Sequence, residues 1–590
     1  MKKNILYISA AFLALNSCSF LDPLENGSYN EDNYREYPKI IRGFVDKAYN
    51  LRPSTYYANE FIGSDAAADN AVYRVKNEGM RLFSLGGGNI SSNPFSSVWT
   101  RSYEAINYCN LFLEDNLGLN THYLLDAESD MALRRSLQGD AYALRAWYHY
   151  DLLRVFGGMD ENGELLGVPI MTEPSRIEDA DPASVSRASF DDTVRQILED
   201  CDSAYAYLPL NNRDYPGDKS YATPVLGSVR YRCFDQVAID GLRAMTWLLW
   251  ASPAFNPEGD TERYRNAAFY ASRVIRHKLD KESQLGFDPM APFNWGDINS
   301  PEIVLPTNIG TSAIEDKFYP QGFGGDAFLV PTQDLVDAFP MANGYPISDP
   351  RSGYDPARPY EGRDPRFYAT IYYDGAQIIR NTNSEVMYIF ETSSGSKDAP
   401  GQVSTSPSGY YVKKFTYRGY NPYDASPIRG YRSVFLMRWE QMCLIFAEAA
   451  CNVGSPLQSS EFGLSARDAL AYLRSRTTSD GMSGLGKDSD PYLNECAASS
   501  ERFMELVRNE WRIVTCFEGT RYFNLRRWSR PEDLSSLNVA VHGAEVSPDG
   551  SFRTVDLEKR DFPSLWNPLP SSEIRKCAKL QQNAGWENWK

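Results

Sequence analysis

The chain has 590 residues and a formal net charge of −17, long enough for a large core and of the wrong sign for nucleic acid or for electrostatic docking on anionic lipid. Its four histidines, His122, His149, His277 and His542, stand isolated with no HExxH or HxH pair, so metal catalysis and a histidine-based triad are poorly supported. Aromatic residues make up 13%, a content that suits either sugar stacking on exposed rings or simply a Tyr-rich core.

The first element is a leader. Lys2 and Lys3 form a positive n-region, and the apolar run Ile5 to Leu15 is far shorter than the ~20 residues that span a bilayer. Leu15, Asn16 and Ser17 then precede Cys18, an arrangement that resembles the bacterial lipobox, in which the Cys is acylated and becomes the first mature residue. Residues 1–17 therefore read as a lipoprotein signal peptide, residues 18–38 as a polar tether behind a lipid anchor, and residues 39–590 as a single domain. The other eight cysteines show no CxxC pair and no metal-ligand spacing. Buried free thiols are the default expectation, with room for one or two disulfides outside the cytoplasm.

Helical periodicity dominates two blocks, about 99–278 and 434–528. In the first, helices are expected over 99–116, 141–156, 189–209, 235–252 and 262–275, the third opening on a capping-box-like Ser189 and Asp192. In the second, residues 435–454 carry the stripe Phe435, Trp439, Met442, Phe446, Ala449 and Val453 and end at Gly454, followed by helices over 465–476 and 501–519. Eight helices in order, with small residues such as Ala141, Ala143 and Ala146 or Ala238, Gly241 and Ala244, suggest four degenerate helix pairs of a stacked repeat; an irregular bundle is the alternative. Between the blocks, about 279–433 form a loop-rich insertion in which only 332–340 is clearly helical, and a second loop tract covers 53–98. Long irregular tracts in a large domain are where function concentrates.

In order along the chain stand the lipobox, "SFLD" after Cys18, Trp99-x3-Tyr103-x2-Ile106-Asn107-x2-Asn110, "ALRAWYHYDLLRVFGG" leading to "GVPI", "RASFDDTVRQILEDCDSAYAYLP", "FAEAACNVG", "NEWRIVTCFEGTRYFNLRRW" and "NPLPSSEIRKCAKLQQNAGW". This series resembles the SusD/RagB family and covers the chain from residue 18 almost to its end. The resemblance implies a mostly α-helical, SusD-like fold with four tetratricopeptide-like pairs packed against a loop-rich ligand-binding portion. It also implies a non-enzymatic outer-membrane lipoprotein facing the cell exterior, which captures oligosaccharides and hands them to a SusC-like TonB-dependent transporter; some members take peptides. No cofactor is implied beyond the acyl and diacylglycerol lipid on Cys18. Two departures stand out: Tyr522 and Asn524 occupy positions where the family pattern has Trp and Asp, and losing that Asp removes a possible partner for Arg521 or Arg526.

Sugar recognition needs flat rings for C–H stacking and planar polar groups for paired hydrogen bonds to hydroxyls. The loop tracts offer Asp65, Asp69, Asn70, Arg81, Asn89, Asn93 and Phe95, then Trp295, Phe318 and Tyr319; Trp295 is the foremost. Arg145, Trp147, Tyr148 and the run Arg521, Arg526, Arg527 and Trp528 read instead as packing and ion-pair residues. No metal site is expected, since "DAAADN" lacks the alternating oxygens and Gly of a calcium loop. A glycan-degrading enzyme is the rival class, but no nucleophile elbow, P-loop or zinc motif supports it.

Overall fold

A computed structural model describes residues 34–53, 58–87, 93–176, 181–212, 225, 227–280, 288–290, 297, 300–310, 314–379, 385–417, 419–427, 432–478 and 481–589. The leader, Cys18, most of the tether, Asn89 and Trp295 lie outside the described residues. The principal helices are α1 (Pro38–Asn50), α2 (Ser96–Leu113), α3 (Ala127–Phe156), α4 (Phe190–Tyr207), α5 (Gln236–Ala251) and α6 (Thr261–Leu279). After the insertion come α7 (Trp439–Val453), α8 (Ala466–Ser475), α9 (Ser500–Val514) and α10 (Arg521–Trp528).

Local chemistry fixes where many of them begin. Asp126, Ser189, Asp235, Ser465 and Ser499 each accept a free backbone N–H ahead of α3, α4, α5, α8 and α9, and such caps contribute about 1 kcal/mol apiece. Ser189 does so as its motif predicts, accepting from the Asp192 amide at 3.0 Å. At the far end of α2, Asp115 and Asn116 take positive φ values of 51° and 54°, which stops the helix short of the expected residue 116.

Packing follows chain order. α1 lies on α2, α2 on α3, α3 on α4, α4 on α5 and α5 on α6; α6 then packs on α7, although residues 280–438 separate them, and α7 carries α8 and α9. Nearest-neighbour stacking of this kind is how helix-hairpin repeats build a continuous core. The small residues Ala141, Ala143, Ala146, Ala238, Ala244, Ala447 and Ala449 are fully buried in it, allowing the helices to approach closely.

Three expectations are corrected. The helix expected over 435–454 begins at Trp439, because Arg432–Arg438 is a strand paired antiparallel with Ile303–Gly310; Phe435 thus belongs to a strand, where Val434, Phe435 and Leu436 suit a pleated surface. The helix expected over 501–519 ends at Val514, and positive φ at Phe517 (63°) and Gly519 (73°) turns the chain into α10. The insertion is less irregular than its composition suggests. Besides the short helix Gln333–Ala338 it holds helices Ile314–Phe318 and Pro365–Thr370 and several two-stranded ladders. Its aromatic residues build a second, smaller core around Tyr319, Phe323, Tyr372, Tyr388, Phe390 and Tyr411. All eight cysteines after Cys18 are free thiols, six of them buried.

Candidate functional site

Asp65, Asp69, Asn70, Arg81 and Asn93 of the first loop tract are largely buried and pin it to the rest of the fold. Asp69 receives two parallel hydrogen bonds from Arg521, both at 2.8 Å, and an ion pair from Arg512 at 3.1 Å. These two guanidinium groups outweigh burial and hold the Asp69 carboxyl well below the usual carboxylate range. Asn70 accepts from Arg512 Nε at 2.8 Å and donates to Asp65 at 3.0 Å, while Asp65 also accepts the Gly519 amide at 3.2 Å. Burial raises the Asp65 carboxyl to about 7, partly offset by those hydrogen bonds. Arg81 pairs with Glu558 and donates to the Tyr73 carbonyl at 2.7 Å, and Asn93 donates to the Pro568 carbonyl at 2.7 Å. Phe95 is fully buried between Phe83, Tyr522 and Phe523.

These six candidates, Asp65, Asp69, Asn70, Arg81, Asn93 and Phe95, are therefore occupied within the fold and offer a ligand little free surface. Phe318 and Tyr319 are corrected likewise. Phe318 sits in the main core and Tyr319 in the smaller one, against Phe323, Tyr372 and Tyr420. Among the described residues, the rings that the insertion exposes are Tyr423, at 68%, and Tyr417.

A cleft of about 120 Å³ opens elsewhere, where α3, α5, α7, α9 and α10 meet the segment around Glu60 and the C-terminal segment. Four of its residues, Trp147, Tyr150, Asp151 and Arg154, come from one face of α3 at spacings of three and four. Trp511 comes from α9, Phe523, Asn524, Arg526 and Arg527 from α10, and Trp566 from the C-terminal segment. Gly519 shapes the edge. Its φ of +73° and a backbone approach that would place a Cβ 2.5 Å from Phe61 Cα exclude any side chain, so the 515–520 turn lies directly on Glu60 and Phe61.

The charges in this cleft are mostly spent. Arg101 bridges Glu60 and Asp151, Arg154 also holds Asp151 at 2.6 Å, and Lys414 and Arg438 hold Glu518 at 2.6 and 2.7 Å. Burial would raise Asp151 and Glu518, but these cations outweigh it and leave both carboxyls below their ordinary range. Arg527 is clamped by Glu448, which also accepts the Trp528 indole N–H at 2.9 Å. Four donors remain without partners although buried: Trp147 Nε1, Trp511 Nε1, Asn524 Nδ2 and Arg526 Nε. Orphaned buried donors are uncommon and costly.

The ion-pair role expected of Arg145, Arg521 and Arg527 matches their pairing with Asp200, Asp69 and Glu448. Arg521 keeps a carboxylate despite Asn524; of Arg145, Arg521, Arg526 and Arg527, it is Arg526 that pairs with no acid among the described residues. Trp147 lies buried in the main core and Arg526 stacks on the Tyr522 ring, so both pack within the fold.

A model of the SusD family matches residues 299–586, and a model described as starch-binding associating with outer membrane matches residues 19–222. The SusD-like protein P38 of Formosa agariphila is 26% identical over 231 residues, which span 37% of this chain and 41% of that curated relative's length. A SusD-like protein of Bacteroides fragilis superposes with a TM-score of 0.69 at 22% identity, over 94% of this chain and 98% of its own. A SusD-like carbohydrate binding protein of the same organism gives 0.68 at 19%, over 93% and 99%. A laminarin binding SusD-like protein gives 0.56 at 17%, over 93% and 99%. At such identities the likeness establishes the mostly helical fold. No helix among the described residues is long and apolar enough to cross a membrane.

Proposed function

Because this chain belongs to the SusD/RagB family, we propose that it is a lipid-anchored, outward-facing outer-membrane protein that captures oligosaccharides without hydrolysing them and passes them to a SusC-like TonB-dependent transporter. The observation that carries the binding reading is the cleft. Trp147, Tyr150, Trp511, Phe523 and Trp566 line it, each only 4–8% exposed. A sugar ring offers axial C–H groups that stack on aromatic faces. Two structural neighbours whose names record carbohydrate or laminarin binding share the fold, which supports the same class of ligand here.

Non-catalytic capture is favoured by the state of the acids. Glycoside hydrolysis needs one carboxyl held protonated as general acid, and its partner ionised. Asp151 and Glu518 are instead both depressed, and their oxygens are engaged by arginine and lysine. The anchor gives capture its purpose, since a binder tethered beside a transporter raises the local concentration of its cargo.

Isothermal titration of the Cys18→Ser chain against neutral and acidic polysaccharides is the direct test. The expected result is binding in the micromolar range or weaker, reduced about tenfold or more in Trp147→Ala, in line with ~1.4 kcal/mol per tenfold. Peptide binding with no response to any polysaccharide would overturn the glycan reading, and new reducing ends would overturn the non-catalytic one. Lipid labelling of wild type against Cys18→Ala tests the anchor, and co-purification of a β-barrel transporter from detergent extracts tests the delivery role.

A further inference from the structure

α5 carries two faces that point away from each other. Met245, Leu248 and Leu249 line the cleft, whereas Asp240, Arg243, Trp247 and Trp250 recur at steps of three and four on the opposite side. About one helix thickness, ~10 Å, separates the two faces. On the outer side α4 and α6 flank α5 and bring rings to it. Arg243 lies 4.8 Å from the centre of the Tyr205 ring and 5.2 Å from that of Tyr270, and Arg273 lies 5.7 Å from both Tyr205 and Phe269. Trp247 stacks on Trp250 at 5.0 Å. Trp250 is held in turn by Asp191, which accepts its indole N–H at 2.7 Å, and by Arg263, 4.2 Å over the ring. Tyr205, Trp247 and Tyr270 stay partly exposed, and Phe269 is 43% exposed. The Trp247 indole N–H has no partner among the described residues and is not sealed from solvent.

We propose that this outer face is a second carbohydrate site, which lays a neutral polysaccharide across Trp247 and the neighbouring rings on the side of α5 away from the cleft. It takes its ligand class from the glycan-capture reading and adds a location to it. The rings are solvent-accessible and fixed in place by the cations beneath and beside them, so stacking a sugar C–H face on them costs little ordering. Charge selects the ligand. Arg243 pairs with Asp202 and Asp240, Arg273 with Asp240, and Arg263 with Asp191, so the face neutralises itself and favours neither a polyanion nor a polycation. The same pairs disfavour a protein partner, because the centre of a protein interface is depleted in charge and here an arginine stands against each of Tyr205, Phe269 and Tyr270. Asp240 to Trp250 spans ~15 Å along the helix axis, room for an oligosaccharide stretch. A long chain held there and at the cleft gains residence through effective concentration.

The test uses the mature lipoprotein in detergent and four neutral polysaccharides, starch, xylan, mixed-linkage β-glucan and galactomannan, each beside its own short oligosaccharides. At least one polymer is expected to bind about tenfold or more tighter than its fragments. Trp247→Ala should remove that polymer advantage and leave fragment affinity within about twofold of wild type, while Trp247→Phe, which keeps a ring, should retain most of it. Phe269 is exposed, so Phe269→Ala reports without a folding defect and should weaken polymer binding about threefold; unfolding midpoints are recorded for all variants. Polymer affinity unchanged in both Trp247→Ala and Phe269→Ala, or no polymer advantage in the wild type, overturns the second site and leaves capture at the cleft standing. Loss of a co-purifying protein in Trp247→Ala with polymer binding intact also overturns it, by making the face a protein interface. Failure of every carbohydrate, polymer and fragment alike, overturns glycan capture itself.

Discussion

Asp69→Asn separates a structural role from a ligand-contact role at one residue. The carboxylate accepts from Arg521 Nε and Nη2 at 2.8 Å each and pairs with Arg512 at 3.1 Å, and its side chain is 15% exposed. Replacing it with a neutral amide leaves two largely buried guanidinium groups facing an N–H donor. Breaking a buried pair by removing one partner costs about 3–5 kcal/mol, and the amide keeps one acceptor, which favours the lower end. With an unfolding entropy of about 2.1 cal/mol/K per residue, a chain of this size has about 1.2 kcal/mol/K in total, so Tm falls by about 2.5–3 °C. The effect carries a pH signature. Because the folded carboxyl is depressed, its stabilisation is present above the unfolded value of about 4 and is lost as pH falls through the lower folded value. Calorimetry of wild type and variant from pH 3 to 8 should therefore show a gap that is constant above about pH 5 and narrows toward pH 3. Glycan affinity of the folded variant should stay within about twofold of wild type. An unchanged Tm together with lost binding would refute the structural assignment and restore Asp69 as a ligand contact.

Asp65 predicts the opposite slope. Its carboxyl is raised to about 7, so between pH 4 and 7 the unfolded chain has lost a proton that the folded chain retains, and stability falls by up to ~4 kcal/mol as pH rises through that window; Asp65→Asn should flatten this component in denaturant titrations, and parallel curves would reject it. Gly519→Ala forces a Cβ to within 2.5 Å of Phe61 Cα at a φ of +73°; left-handed backbone plus overpacking should cost about 2–5 kcal/mol and displace the Glu60 and Phe61 wall of the cleft, visible as a lower Tm with weaker glycan binding, whereas wild-type behaviour in both assays would contradict the turn. In the Cys18→Ser chain, thiol titration should count eight groups in denaturant, with only Cys233 and Cys577, the two not fully buried, open to modification in the native state; prompt native labelling of Cys109 or Cys516, whose thiols burial pushes upward, would argue against the packing.

Much of the helical scaffold was legible because its signals are local. An apolar stripe at steps of three and four, closed by a residue such as Ser189, needs no distant partner to specify α4. Phe435 was misassigned for the same reason: its strand is defined by pairing with Ile303–Gly310, and that partner lies far away in sequence. The candidate ligand residues suffered similarly. Asp69 reads as a free loop acid in its own neighbourhood, yet the arginine that consumes it is 452 positions away. Arg81 reads as a surface cation, yet it pairs with Glu558, which β-pairing of the C-terminal hairpin Ala540–Val546 and Phe552–Lys559 holds in place.

The sequence by itself determined the helical class, the order of the stacked elements and, through segments spread along the whole chain, the family. Hydrophobic periodicity and capping act over a few residues, and a family pattern is a property of the string. The tertiary structure alone decided which polar groups are spent and which are left. Hydrogen bonds and ion pairs are exclusive contacts between residues that only folding brings together, which is why Asp65, Asp69 and Arg81 are engaged by Asn70 and Gly519, by Arg521 and Arg512, and by Glu558.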